Sequence, residues 1–199
     1  MTCDPGITAD PIQSSPLSAS PKALLRKTLL ATRRTLAAGA RARWDAAIGA
    51  HIVAWWQVSQ VATLGVYWPL RDEPDLCAAY AELAALGVQL ALPVVLEKDK
   101  PLVFARWQPG EAMVKDKMGI AVPLQLRVEA CPPAILVPCL GFNAQRFRLG
   151  YGGGFYDRTL AQTPRPVTLG IAYACLAAQF ASDTHDIALD DIITEGGFI

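Results

Sequence analysis

The stretch best equipped for chemistry is Arg148-Leu149-Gly150-Tyr151-Gly152-Gly153-Gly154-Phe155-Tyr156-Asp157-Arg158. Consecutive glycines let backbone N–H groups approach a ligand closely, because no Cβ stands in the way. Arg148 and Arg158 bracket the loop with positive charge, and Asp157 offers oxygen donors to a cation. Upstream, Ala134-Ile135-Leu136-Val137 is a short apolar run that reads as a buried strand; downstream, residues 155–162 contain no Gly or Pro and read as a helix. A Gly-rich loop between a strand and a helix N-terminus favours an anion, since the helix adds unpaired N–H groups and its dipole. The expected ligand is a phosphate or the phosphates of a nucleotide.

The familiar nucleotide loops are excluded. The chain has no G-x-x-x-x-G-K-[ST] and no G-x-S-x-G. Phe155 stands where G-x-G-x-x-G needs its last glycine, and the strand at 167–173 lacks the acidic residue that dinucleotide folds carry about 20 positions on. Histidines are limited to His51 and His185, and Cys3, Cys77, Cys131, Cys139 and Cys175 include no C-x-x-C pair. A structural zinc site or a disulfide framework is therefore not expected, and the cysteines read as reduced and mostly buried. Lys plus Arg balance Asp plus Glu at 18 each, which argues against a broad basic face for nucleic acid while leaving room for a local cationic pocket. No apolar run reaches the roughly 18 residues of a membrane span, and no basic-then-apolar leader is visible. A cytoplasmic protein without membrane or nucleic-acid partners is expected.

The elements that must position the loop follow from periodicity. Residues 1–20 are rich in Pro and Ser without hydrophobic period and read as a flexible tail; residues 21–199 read as a single domain. Ser20-Pro21 is a cap-and-first-turn pair opening a helix, with Leu25, Leu29 and Leu36 on its buried side and Gly39 at its end. Lys22, Arg26, Lys27, Arg33 and Arg34 read as its solvated basic face. Trp44, Ile48, Ile52 and Trp55 form the stripe of a second helix, with His51 incidental. Residues 61–67, 88–95, 102–107, 134–137 and 167–171 read as strands, the third as an added hairpin or edge strand. Asp75 reads as the cap of a helix over 76–86, and 187–194 as a last extended segment. This is an α/β fold: an open, mostly parallel sheet with helices on both faces. The polar turn after the first strand, which holds Glu73, lies where such sheets bind ligands.

Several separated segments together resemble the 5-formyltetrahydrofolate cyclo-ligase family, also called methenyltetrahydrofolate synthetases. They are Lys22-x-x-x-Arg26; Tyr67-Trp68-Pro69 with Glu73; Trp107, Gly119-Ile120 and Pro123; Leu136-Val137-Pro138 with Gly141-Phe142-Asn143; the 148–158 loop; and His185-Asp186-Ile187 with Asp190 and Thr194-Glu195. The resemblance implies ATP- and Mg²⁺-dependent cyclisation of 5-formyltetrahydrofolate to 5,10-methenyltetrahydrofolate, with ADP and phosphate released. It implies ATP binding by Lys22, Arg26, Arg148, Leu149, Gly150, Tyr151, Gly152, Gly153, Gly154, Phe155 and Tyr156, with Arg148 and Lys22 acting directly in catalysis. Trp68, Glu73, Tyr151 and Tyr156 would bind the folate, and Asp157 and Asp186 would ligate Mg²⁺. A monomer acting on small molecules is expected; the alternative is a non-catalytic folate- or nucleotide-binding module of the same fold. Two positions depart from the common family pattern: Asn143 where Asp is frequent, and Arg146 where Gly is frequent. Asn143 could cost a structural cap or a weak metal contact. Arg146 could add a cation beside the loop or replace a left-handed glycine.

Overall fold

A computed structural model describes residues 20–70 and 72–199, so the tail expected over 1–20 lies outside it except for Ser20. Helix α1 (Pro21–Arg34) starts as its sequence requires, with Pro21 in the first turn and Ser20 Oγ accepting from Ala23 N at 3.3 Å. It ends at Thr35, whose hydroxyl turns back onto the Thr32 carbonyl at 2.7 Å. Gly39 therefore does not end α1; it falls in the first turn of α2 (Ala38–Ser59). The α2 stripe is as expected: Ile48 and Ile52 are fully buried, with Trp44 and Trp55 packed at the margin of the core.

The chain continues through β1 (Thr63–Gly65), α3 (Cys77–Ala85), β2 (Gln89–Val94), β3 (Val103–Trp107), β4 (Met113–Lys115), β5 (Ala121–Pro123), β6 (Val128–Glu129) and β7 (Ala134–Pro138). It then forms β8 (Gly141–Phe142), β9 (Arg148–Leu149), α4 (Phe155–Leu160), β10 (Val167–Ile171), a 3-10 turn at Ala174–Leu176, β11 (Asp191–Thr194) and β12 (Gly197–Phe198). Eight strands make one sheet in the order β12-β11-β10-β7-β1-β2-β3-β6. The run from β11 to β2 is parallel, while β12, β3 and β6 pair antiparallel at the two margins. Asp75 Oδ1 accepts from Cys77 N at 3.0 Å and so serves the start of α3, as expected.

Alternation along the central strands divides the core between two faces. Leu64, Leu136, Leu169 and Ile193 point toward α1, α2 and α3, whereas Ile135, Val137 and Ile192 pack with Leu160, Phe155 and Tyr156 of α4. Helices thus cover both faces, three on one side and the short α4 on the other. Among the four described cysteines, only Cys139 is buried; Cys131 and Cys175 are exposed and Cys77 is half-buried, so the mostly-buried expectation fails. Burial still pushes the Cys139 and Cys77 thiols up to about 12, with Asp75 adding to the effect on Cys77.

The topology also selects a place for a ligand. From β1 the chain proceeds outward through β2 and β3, and from β7 it proceeds the other way through β10 and β11. Order reverses between β1 and β7, and in open α/β sheets the crevice beyond the strand ends at such a reversal is the binding place. Tyr67 and Trp68 follow β1, Pro138 ends β7, and all three line a cavity of about 720 Å³.

Candidate active site

Helix α1 brings two cations to this cavity because Lys22 and Arg26 are one helical turn apart. Lys22 Nζ donates to Asp183 Oδ2 and Asp186 Oδ2, both at 2.6 Å. Partial burial works against the Lys22 ammonium, but the two carboxylates outweigh it and hold its pKa above the ordinary lysine value. For Asp186, burial would raise the pKa; the Asp183 backbone N–H, Lys22 and Arg148 together bring it below the ordinary carboxylate value. Arg26 Nε donates to the Gly150 carbonyl at 2.8 Å, which ties α1 to the glycine loop.

The loop is presented by the β8–β9 hairpin. Asn143 shapes this turn: its Oδ1 accepts from Gln145 N at 3.1 Å and Phe147 N at 3.0 Å, and its Nδ2 donates to the Phe180 carbonyl at 3.1 Å. Asn143 is therefore the cap, and its amide also makes a donor contact that an ionised Asp could not. Arg146 has φ 60°, so it occupies the left-handed position that glycine would otherwise take. Of the two readings for Arg146, this is the one the backbone supports.

Beyond β9, Arg148 is nearly buried and donates to Asp157 Oδ2 at 2.7 Å, while its guanidinium lies 5.2 Å from the Tyr156 ring centre. Gly152 and Gly154 have φ 92° and 64°, and a Cβ at Gly154 would sit 2.8 Å from the Arg158 guanidinium. The backbone conformation is what favours glycine there, since the exposed Arg158 guanidinium could move aside. Helix α4 runs for six residues instead of the expected eight, so its dipole is slight and the side-chain cations carry most of the positive potential. Arg158 faces outward, donating to the Gly153 carbonyl at 2.7 Å, and braces the loop from outside the cavity.

Also on the cavity wall, Trp68 meets Trp107 edge-on at 6.0 Å. Glu73 is buried; its Oε2 accepts from Leu70 N at 2.8 Å and its Oε1 from the Tyr151 hydroxyl at 2.7 Å. Burial, reinforced by the negative Glu73, holds the phenols of Tyr151 and Tyr156 well above the usual tyrosine value, so both stay neutral donors. The solvated-face reading of α1 holds for Lys27 and Arg34, which are exposed, and fails for Arg33, which is fully buried and donates to the Tyr151 hydroxyl at 2.5 Å. Charge at helical spacing does not reveal which loop will later cover it.

Of the C-terminal segment, Asp186 enters the cavity, whereas Asp190 bonds Thr168 N and Oγ1, and Glu195 accepts from Ala174 N; those two hold the fold together. Sequence reasoning missed Asp183, as well as Asp116 and Met118 of the β4–β5 hairpin, all of which line the cavity. The Asp183-x-x-Asp186 spacing opposite Lys22 was the available signal for the first. The described residues contain no group of three metal-ligating side chains. Asp157 and Asp186 offer only oxygen, each already opposite a cation, which suits a hard ion arriving with phosphate ligands better than a protein-only cage.

Comparison with known proteins identifies the family and the fold. The 5-formyltetrahydrofolate cyclo-ligase family model matches residues 18–195. The 5-formyltetrahydrofolate cyclo-ligase of Mycoplasma pneumoniae is 28% identical over 177 residues, covering 87% of this chain and 98% of its own. That of Haemophilus influenzae is 31% identical over 143 residues, covering 67% of this chain and 76% of its own. Among solved structures, the 5,10-methenyltetrahydrofolate synthetase of Aquifex aeolicus superposes with a TM-score of 0.78 at 25% identity, covering 89% of this chain and 91% of its own. The Mycoplasma pneumoniae synthetase superposes with a TM-score of 0.70 at 27% identity, covering 88% of this chain and 99% of its own.

Proposed function

The chain belongs to the 5-formyltetrahydrofolate cyclo-ligase family and is an enzyme of that kind; we propose that it closes 5-formyltetrahydrofolate to 5,10-methenyltetrahydrofolate, driven by ATP with Mg²⁺. The observation that carries this reading is a single cavity lined by two chemically different sets of groups. Lys22, Arg26, Arg148 and the glycine loop supply cations and backbone N–H groups, and Trp68, Glu73, Tyr151 and Tyr156 supply aromatic rings and a carboxylate, with Tyr156 packed against Arg148.

The formyl oxygen is a poor leaving group. Attack of that oxygen on the γ-phosphorus expels ADP and leaves an imino-phosphate. The neighbouring amine nitrogen then attacks the formyl carbon, its proton passes to solvent, and phosphate departs with the former formyl oxygen. Such chemistry asks for positioning and charge neutralisation, and no protein nucleophile is needed. Lys22, Arg26, Arg148 and the backbone from Leu149 to Tyr156 bind the triphosphate, and Lys22 and Arg148 stabilise the charge that develops during transfer. Asp157 and Asp186 would hold Mg²⁺, which would supply further neutralisation of phosphate charge. These carboxylates now face Arg148 and Lys22, and phosphates that engaged those two cations would leave the carboxylates to the metal. Glu73 accepts from N–H groups of the pterin while Trp68, Tyr151 and Tyr156 enclose it. The enzyme acts on small molecules as a monomer. No described helix is long and apolar enough to cross a membrane.

Purified protein mixed with 5-formyltetrahydrofolate and Mg·ATP is expected to produce the methenyl chromophore, and to lose that activity when ATP is omitted or EDTA is added. Tight folate binding without product under these conditions would instead indicate a non-catalytic binding module.

A further inference from the structure

Asp183 has no part in the reaction just described, yet it stands against the lysine that meets the phosphates there. Lys22 Nζ lies 2.6 Å from Asp183 Oδ2 and also 2.6 Å from Asp186 Oδ2, so one cation faces two carboxylates. The turn that presents them does not use the Asp183 side chain. Asp186 N donates to the Asp183 carbonyl at 3.0 Å, and Asp183 N donates to Asp186 Oδ2 at 2.8 Å. The Asp183 side chain is also 73% exposed, and an ion pair in that setting contributes little to stability. What it adds is one negative charge beside the phosphate-binding groups.

That charge decides the local sum. Lys22, Arg26 and Arg148 are the cations among the described residues lining the cavity, and Asp157, Asp183 and Asp186 line it with them. Lys22 and Arg148 face the three carboxylates, while Arg26 Nε is engaged by the Gly150 carbonyl. Three cations and three carboxylates give a formal charge of zero. Without Asp183 the same set would be positive and would attract a triphosphate with no metal attached. With Asp183 in place, a divalent cation held by Asp157 and Asp186 is what would turn the sum positive. The other ionisable carboxylates on the lining, Glu73 and Asp116, add no positive charge.

We propose that Asp183 is a specificity-determining residue: its charge holds the phosphate-binding groups at neutrality until a metal is present, so that the site takes Mg·ATP and turns away metal-free ATP. A like charge set against the unwanted ligand is a general route to discrimination. This rests on the ATP and Mg²⁺ dependence proposed above. Metal-free ATP carries roughly twice the negative charge of its magnesium complex, so one carboxylate repels it about twice as strongly.

The test is nucleotide affinity by isothermal titration calorimetry, with no folate present, in excess Mg²⁺ and separately in EDTA. Wild type is expected to bind Mg·ATP more tightly than ATP in EDTA. Asp183→Asn should narrow that preference by about threefold, the scale of one screened charge acting across a solvated distance, through tighter binding of ATP in EDTA. Asp183→Glu should keep the wild-type preference, and the effect of Asp183→Asn should fade as salt is raised. No preference in wild type, or an unchanged preference in Asp183→Asn, overturns the proposal. So does a narrowing that comes only from weaker Mg·ATP binding, which would make Asp183 a ligand of the metal. The two readings separate: the expected narrowing in a protein that makes no methenyl product keeps the role of Asp183 and rejects the reaction, whereas methenyl formation with an unchanged preference does the reverse.

Discussion

Arg148 and Asp157 form an ion pair on the cavity wall, and its partial burial makes each partner sensitive to loss of the other. Arg148→Ala is expected to lower kcat/KM for ATP by about 10²–10³-fold, in the range of removing a preorganised donor from a developing negative charge. Circular dichroism should show the variant folded. Asp157→Asn should raise the Mg²⁺ concentration needed for half-maximal rate, read from a metal titration at fixed ATP. Gly154→Ala places a Cβ in a left-handed conformation close to Arg158 and should destabilise the protein by about 1 kcal/mol, seen as a lower urea midpoint. At this scale the loop was legible because its chemistry is written in adjacent residues. Arg33 was not, because its burial depends on Tyr151 and Glu73, which stand 118 and 40 positions further along the chain.

Helix α1 is the element that brings Lys22 and Arg26 to the site, and its N-terminal turn is anchored by Lys22 against Asp183 and Asp186. The pH dependence of that anchor follows from the direction of each shift. Asp186 is depressed below 3.8, so its contribution is present above that value and is lost as pH falls through the folded pKa. Lys22 is raised above 10.5, so its contribution is present below that value and is lost as pH rises through the folded pKa. The pair therefore stabilises across neutral pH. Thermal melts of wild type and Lys22→Met should differ by a constant amount from roughly pH 5 to 8, between the ordinary carboxylate and lysine values. The difference should shrink as the pH falls below 3.8. A gap that persists undiminished in strong acid would mean that Lys22 holds α1 by packing alone. The start of α1 was readable from Ser20-Pro21, whereas its end was not: Gly39 is the stronger stop signal by residue type, but the Thr35 hydroxyl bond to Thr32 closes the helix first.

On the scale of the whole molecule, the α/β class and the central strands followed from apolar runs and their breaks, because strands buried on both faces have no other composition available. The strand at 102–107, expected as an added hairpin or edge strand, does pair antiparallel with β2, but the β12 and β6 margins and the β4–β5 and β8–β9 hairpins did not follow. Their strands span two or three residues, too few for a period to register, and their pairing is decided by what lies opposite. That shortfall matters for function, since the β4–β5 hairpin places Asp116 and Met118 over the cavity while β8–β9 aims Arg148 into it. The reversal between β1 and β7 explains why residues from both ends of the chain meet there. The central claim is that the cationic residues of this cavity deliver the γ-phosphoryl group to the formyl oxygen of a folate bound in the same cavity. Turnover of substrate labelled with ¹⁸O in the formyl group, followed by mass analysis of the released phosphate, tests it most directly. The account predicts that the label leaves in the phosphate as methenyl product forms; methenyl product accompanied by unlabelled phosphate, with the ¹⁸O in water, would contradict it.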